Sequence, residues 1–66
     1  MRNLFGLRAN RPYLVRESGS TIHHEVTVTR ANAESARLVF RDGSGWIDLT
    51  PQSDVEVVRD TIVFQK

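Results

Sequence analysis

Alternation of apolar and polar positions governs this chain from Pro12 onward and predicts β-strands. Thr21 to Arg30 carries the clearest pattern: Ile22, Val26 and Val28 fall on one face, and Thr21, Glu25, Thr27 and Thr29 on the other. Its density of β-branched residues argues against a helix. Before it, Tyr13, Leu14 and Val15 form a short apolar run that ends at a turn over Glu17-Ser18-Gly19-Ser20. Pro12, lacking an N–H, fits only a strand start or an edge. After it, Ala31 to Ser35 is a connector with room for one helical turn. Ala36, Leu38 and Phe40 then alternate with Arg37, Val39 and Arg41. Asp42-Gly43-Ser44-Gly45 supplies the positive φ of a hairpin turn, and Trp46 to Thr50 returns with Ile47 and Leu49 on one face.

The stretch from Asp54 to Phe64 supports two readings. Val55 and Val57 alternate with Glu56 as in a strand, but Val58, Ile62 and Phe64 have the opposite parity. A strand here needs a bulge near Val58 or burial of both faces. A helix would use Ser53 and Glu56 as a capping box, with Val55, Val58 and Ile62 at helical spacing. The abundance of Val and Ile favours the strand. The first eleven residues show no sustained period. They read as an N-terminal arm, 1–11, whose Leu4, Phe5 and Leu7 dock elsewhere, such as on a partner subunit.

The expected architecture is therefore all-β: a small antiparallel sheet or barrel of about five strands, residues 12–66, with a hairpin insertion around 41–50. A 66-residue domain buries only about 60% of the surface its unfolded chain exposes and needs reinforcement. With no Cys in the chain, disulfides are excluded and a cytoplasmic location is expected. His23 and His24 are neighbours, so on a strand they face opposite ways and cannot share a metal. No cofactor is expected. Oligomerisation is the remaining route to a sufficient core.

Charge adds a bias without dictating a ligand. The net charge is +1, but residues 1–30 set Arg2, Arg8, Arg11, Arg16 and Arg30 against Glu17 and Glu25, whereas residues 31–66 carry a balance of −2. Eight of the nine cations are Arg, whose planar fork suits phosphates and guanine edges. Trp46, Tyr13 and Phe40 are either core residues or base-stacking platforms. The Gly43-Ser44-Gly45 turn lacks the spacing of a phosphate loop or a nucleophile elbow. No Ser, His or Asp stands in the context of an activated nucleophile, so binding without catalysis is expected.

Four colinear segments, Leu14 to Ile22, Glu25 to Thr29, Ala36 to Leu38 and Asp54 to Ile62, resemble the carbon storage regulator family, whose pattern reads approximately LTRxxGESI, EVTVT, VRI and EVxVxREEI. The resemblance implies a small intertwined homodimer that binds GGA-bearing loops of messenger leaders and small RNAs. It also implies an RNA surface made by the first strand of one subunit beside the last strand of the other. That assigns RNA contacts to Leu14 and Arg16 on the first strand and to Val55, Val57 and Arg59 on the last. The chain departs from the pattern at Val15, where the family has Thr, and at Glu17, where it has a basic residue. It also has shorter connectors around the second strand and an insertion over residues 41–50. The alternative expectation is a protein-interaction or assembly module, of the kind found among small phage structural or inhibitory proteins, that adds a strand to a partner through its sheet edges.

Overall fold

The computed structural model describes residues 2–65; Met1 and Lys66, the outer limits of the expected arm and domain, lie outside them. Six strands follow one another: β1 (Arg11–Glu17), β2 (His24–Ala31), β3 (Ala36–Phe40), β4 (Trp46–Leu49), β5 (Val55–Val58) and β6 (Thr61–Phe64). They form one sheet in the order β4-β3-β2-β1-β6-β5. The all-β expectation holds. Neighbours are antiparallel except β1 and β6, which run parallel, so the sheet is mixed.

The sixth strand comes from the segment that read two ways. It is neither a helix nor one bulged strand. The chain reverses at Arg59-Asp60, and Val58 pairs with Thr61 across that two-residue turn. Reversal resolves the parity conflict: Val55 pairs with Phe64 and Val57 with Ile62, so all four share one face. A second difference lies at Ile22. It was expected on the core face of a strand starting at Thr21, but β2 starts at His24 and Ile22 is 66% exposed. Local hydrogen bonds hold residues 20–23 in a loop: Ser20 N–H to the Glu17 carbonyl (3.0 Å) and Ile22 N–H to Ser20 Oγ (3.1 Å).

Pro12 sits inside a strand that has neighbours on both sides, and the ladder explains why this is tolerated. Leu14 N–H donates to the Asp60 carbonyl (2.8 Å) on the β6 side. Pro12, two residues earlier, points the same way, but β6 pairing begins only at Leu14. Its missing N–H faces no strand.

The sheet curls strongly, and chain connectivity requires it. Laid flat, the two edge strands β4 and β5 would stand about 24 Å apart at normal strand spacing. The link from Leu49 to Val55 spans about 22 Å even fully extended, and it is folded: Ser53 N–H donates to the Thr50 carbonyl and Thr50 N–H to Ser53 Oγ. The edges must therefore approach.

Curling gathers one face into a core of Leu7, Tyr13, Val15, Val26, Val28, Ala36, Leu38, Leu49 and Ile62. Each fully buried aliphatic side chain contributes about 1.5–3 kcal/mol. Leu7 shows that the arm docks on its own chain. A 3-10 turn at Leu4–Gly6 lets Leu4 and Phe5 pack against the core and buries Leu7 completely. Leu4 N–H donates to the Asn32 carbonyl (2.7 Å), and Arg8 N–H to the Tyr13 hydroxyl (3.3 Å). The arm thereby closes the end of the curled sheet where β2 passes into β3. The opposite end is open. There Val15, Phe40, Ile47 and Phe64 border a cleft of about 710 Å3.

Candidate functional site

Strand alternation divides the chemistry of the molecule between an inner and an outer face. Because Val26, Leu38 and Val15 point inward, the residues between them point outward. The ladder registers place Pro12 beside Thr27, Thr27 beside Val39, and Val39 beside Trp46. These four make a continuous uncharged stripe across β1 to β4, ending at Trp46, which is 61% exposed.

Charged rows flank the stripe. On one side Arg30 pairs with Arg37 and Arg37 with Asp48; a bulge after Val28 keeps Arg30 in this outward row. On the other side Arg41 reaches Glu25 (3.1 Å). A shallow hollow of about 220 Å3 opens over Leu14, bounded by Pro12, Glu25, Arg41 and Asp60.

Arg37 organises the Trp46 end. Its Nε donates to Asp48 Oδ1 (2.8 Å) and its NH2 group to Oδ2 (3.1 Å), a bidentate pair. Its guanidinium carbon lies 5.2 Å from the centre of the Trp46 ring, a cation–π contact. The hydrogen bonds that Arg37 donates to Asp48 raise the Arg37 pKa and, reciprocally, lower that of Asp48. Both groups therefore stay charged across the neutral range. Solvent screens a surface ion pair of this kind, so it adds little to stability; its larger effect here is geometric, since it fixes the guanidinium against the indole.

The five residues assigned by family resemblance are dispersed. Leu14 faces outward beneath the hollow. Arg16 also stands on the outer side of β1, but its guanidinium turns toward the open end and donates to the carbonyls of Glu17 (3.3 Å) and Ser20 (3.4 Å). Val55 and Val57 face inward, half-buried against the core. Arg59 lies in the β5–β6 turn, not on a strand, and takes a positive φ of 57°. Within one chain β6 separates β1 from β5, and β1 already has a neighbour on each side. Sequence reasoning named Trp46 as a possible platform but did not join it to Arg30 and Arg37. The available signal was parity: Arg37 and Trp46 alternate out of phase with Leu38 and Ile47.

Among the described residues no group of His, Cys, Asp and Glu is arranged to hold a metal, and no helix is long and apolar enough to cross a membrane. No protein-family model, curated protein or solved structure matches the chain.

Proposed function

We propose that this protein binds single-stranded RNA across the outer face of β1 to β4, with Trp46 as the stacking platform. The observation that carries the reading is the exposed Trp46 ring, covered on one side by Arg37 and set at the end of an uncharged stripe between arginine-bearing rows. Single-strand binders combine these parts: aromatic faces for bases and arginines for phosphates or base edges. Arg30 has no carboxylate within ion-pair distance among the described residues and is the free fork in the row it shares with Arg37. The hollow over Leu14 lies at the other end of the stripe and takes a second unstacked base.

The resemblance to carbon storage regulators adds a ligand type, GGA-bearing loops, and a mode of action. Bound protein blocks ribosome access or changes RNA folding, with no covalent chemistry. The test is fluorescence anisotropy of a labelled GGA-loop hairpin against a scrambled-loop control, at near-physiological salt. Trp46→Ala is expected to cost about 1–3 kcal/mol of binding, a 5- to 150-fold loss. Failure of the wild type to bind either RNA refutes the reading.

The unpaired edges of β4 and β5 support a second reading, strand addition to a protein partner. Salt separates the two: RNA affinity falls steeply with ionic strength, whereas backbone pairing does not.

A further inference from the structure

The open end of the curled sheet is unused by the outer-face reading, and its composition points to a particular occupant. Its floor is apolar, made by Val15, Phe40, Ile47 and Phe64. Beside it stands Ile22, an aliphatic side chain left 66% exposed on the loop before β2. A hollow and a knob therefore lie side by side on one chain.

The rim carries both signs of charge. Arg16 and Glu17 are adjacent at the cleft, and neither makes an ion pair among the described residues. Asp42 adds a second carboxylate across the opening. A uniformly charged ligand meets repulsion at part of such a rim. A surface with paired opposites suits its own copy turned by a two-fold axis, which brings Arg16 to the partner's Glu17 and Glu17 to the partner's Arg16.

We infer that the open end is the contact between two copies of this chain, with Ile22 of each seated in the cleft of the other. A stable two-fold interface takes about 800 Å2 from each partner, roughly one sixth of the 4661 Å2 this chain exposes, so the contact extends past the cleft onto the surrounding rim. The contact also supplies the reinforcement a 66-residue core lacks. It differs from strand exchange: β1 keeps both of its own-chain neighbours, and the two outer faces remain free.

Sedimentation velocity over a wide concentration range tests the inference. The wild type is expected to dimerise, and Ile22→Asp to raise the dissociation constant at least tenfold, as loss of a central apolar anchor does. Because Ile22 is solvent-exposed in the single chain, the variant should keep the wild-type circular dichroism and melting temperature at dilutions where both are monomeric. Ser44→Arg, which plants a bulky charge on an exposed turn at the rim, should act in the same direction. A wild type that stays monomeric at the highest concentrations overturns the inference and gives the cleft to another protein or a small ligand. A dimer untouched by both substitutions overturns it as well. Neither result bears on RNA binding, since both substitutions lie off the outer face.

Discussion

The two ends of the curled sheet are built from opposite materials. At the closed end the backbone is strained: Phe5, Asn10 and Arg59 hold φ values of 53°, 63° and 57° without being glycine, and Leu7 of the arm is completely buried. At the open end, glycine takes every positive φ, at Gly19, Gly43 and Gly45, and apolar surface is left uncovered. A non-glycine residue in the left-handed region costs about 1–2 kcal/mol. The closed end tolerates that cost because burial of Leu7, with Leu4 and Phe5 packed against the core, offsets it. The open end has spared its backbone the strain but has no such packing of its own.

Removing the plug should break this contrast most severely. Leu7→Ala deletes a fully buried side chain and is expected to cost about 2–5 kcal/mol in chemical denaturation. Ile22→Ala, at the exposed counterpart, should stay within about 0.5 kcal/mol for the isolated chain. Equal effects would mean that the arm is an appendage and not part of the core.

A matched pair of backbone substitutions sharpens the contrast with smaller effects of opposite sign. Gly43→Ala meets no atom within 4 Å of the new Cβ, so only its φ of 84° matters, and a loss of about 1 kcal/mol is expected. Arg59→Gly relieves about 1–2 kcal/mol of strain against roughly 0.5–1 kcal/mol of added chain entropy in the unfolded state. A net gain near 0.5–1 kcal/mol should follow. If Arg59→Gly destabilises instead, the arginine side chain makes a contact at the turn worth more than its strain.

The turn at Arg59 also marks where sequence reading fell short. The strands β2, β3 and β4 were legible because each alternates cleanly and Asp42-Gly43 advertises the hairpin between the last two. The β5–β6 turn carries neither Gly nor Asn, so the usual hairpin signal was missing, and two four-residue strands looked like one irregular segment. Ile22 was misplaced for a different reason. Its parity matches Val26, but parity holds only while the strand lasts, and the hydrogen bonds of Ile22 N–H to Ser20 Oγ and of His23 Nδ1 with the Thr21 carbonyl mark a loop in its place. The candidate site was half legible. Outward parity could be read for Arg37 and Trp46, whereas their meeting with Asp48 depends on the β3–β4 register. The bidentate geometry that follows was not in any local pattern.

The smallest expected effect concerns acidity at the open end. The Asp42 carboxyl is held below its usual pKa of 3.8, first by the Ser44 hydroxyl and then by the Ser44 backbone N–H, which donates at 2.8 Å. A carboxylate whose pKa is lower in the folded state favours folding only while ionised. Its contribution is therefore whole above 3.8, shrinks as pH falls below that value, and vanishes once the folded pKa is passed. The group is solvent-exposed, so the loss should loosen the β3–β4 turn without unfolding the sheet. Amide exchange followed by NMR below pH 4 should show protection falling at Ser44 before it falls at Leu14, whose N–H is locked to Asp60 within the sheet. Asp42→Asn should remove the pH dependence at Ser44 and leave Leu14 unchanged. Simultaneous loss at both positions would mean that the two ends open as one unit, and that their different construction does not make them independent in stability.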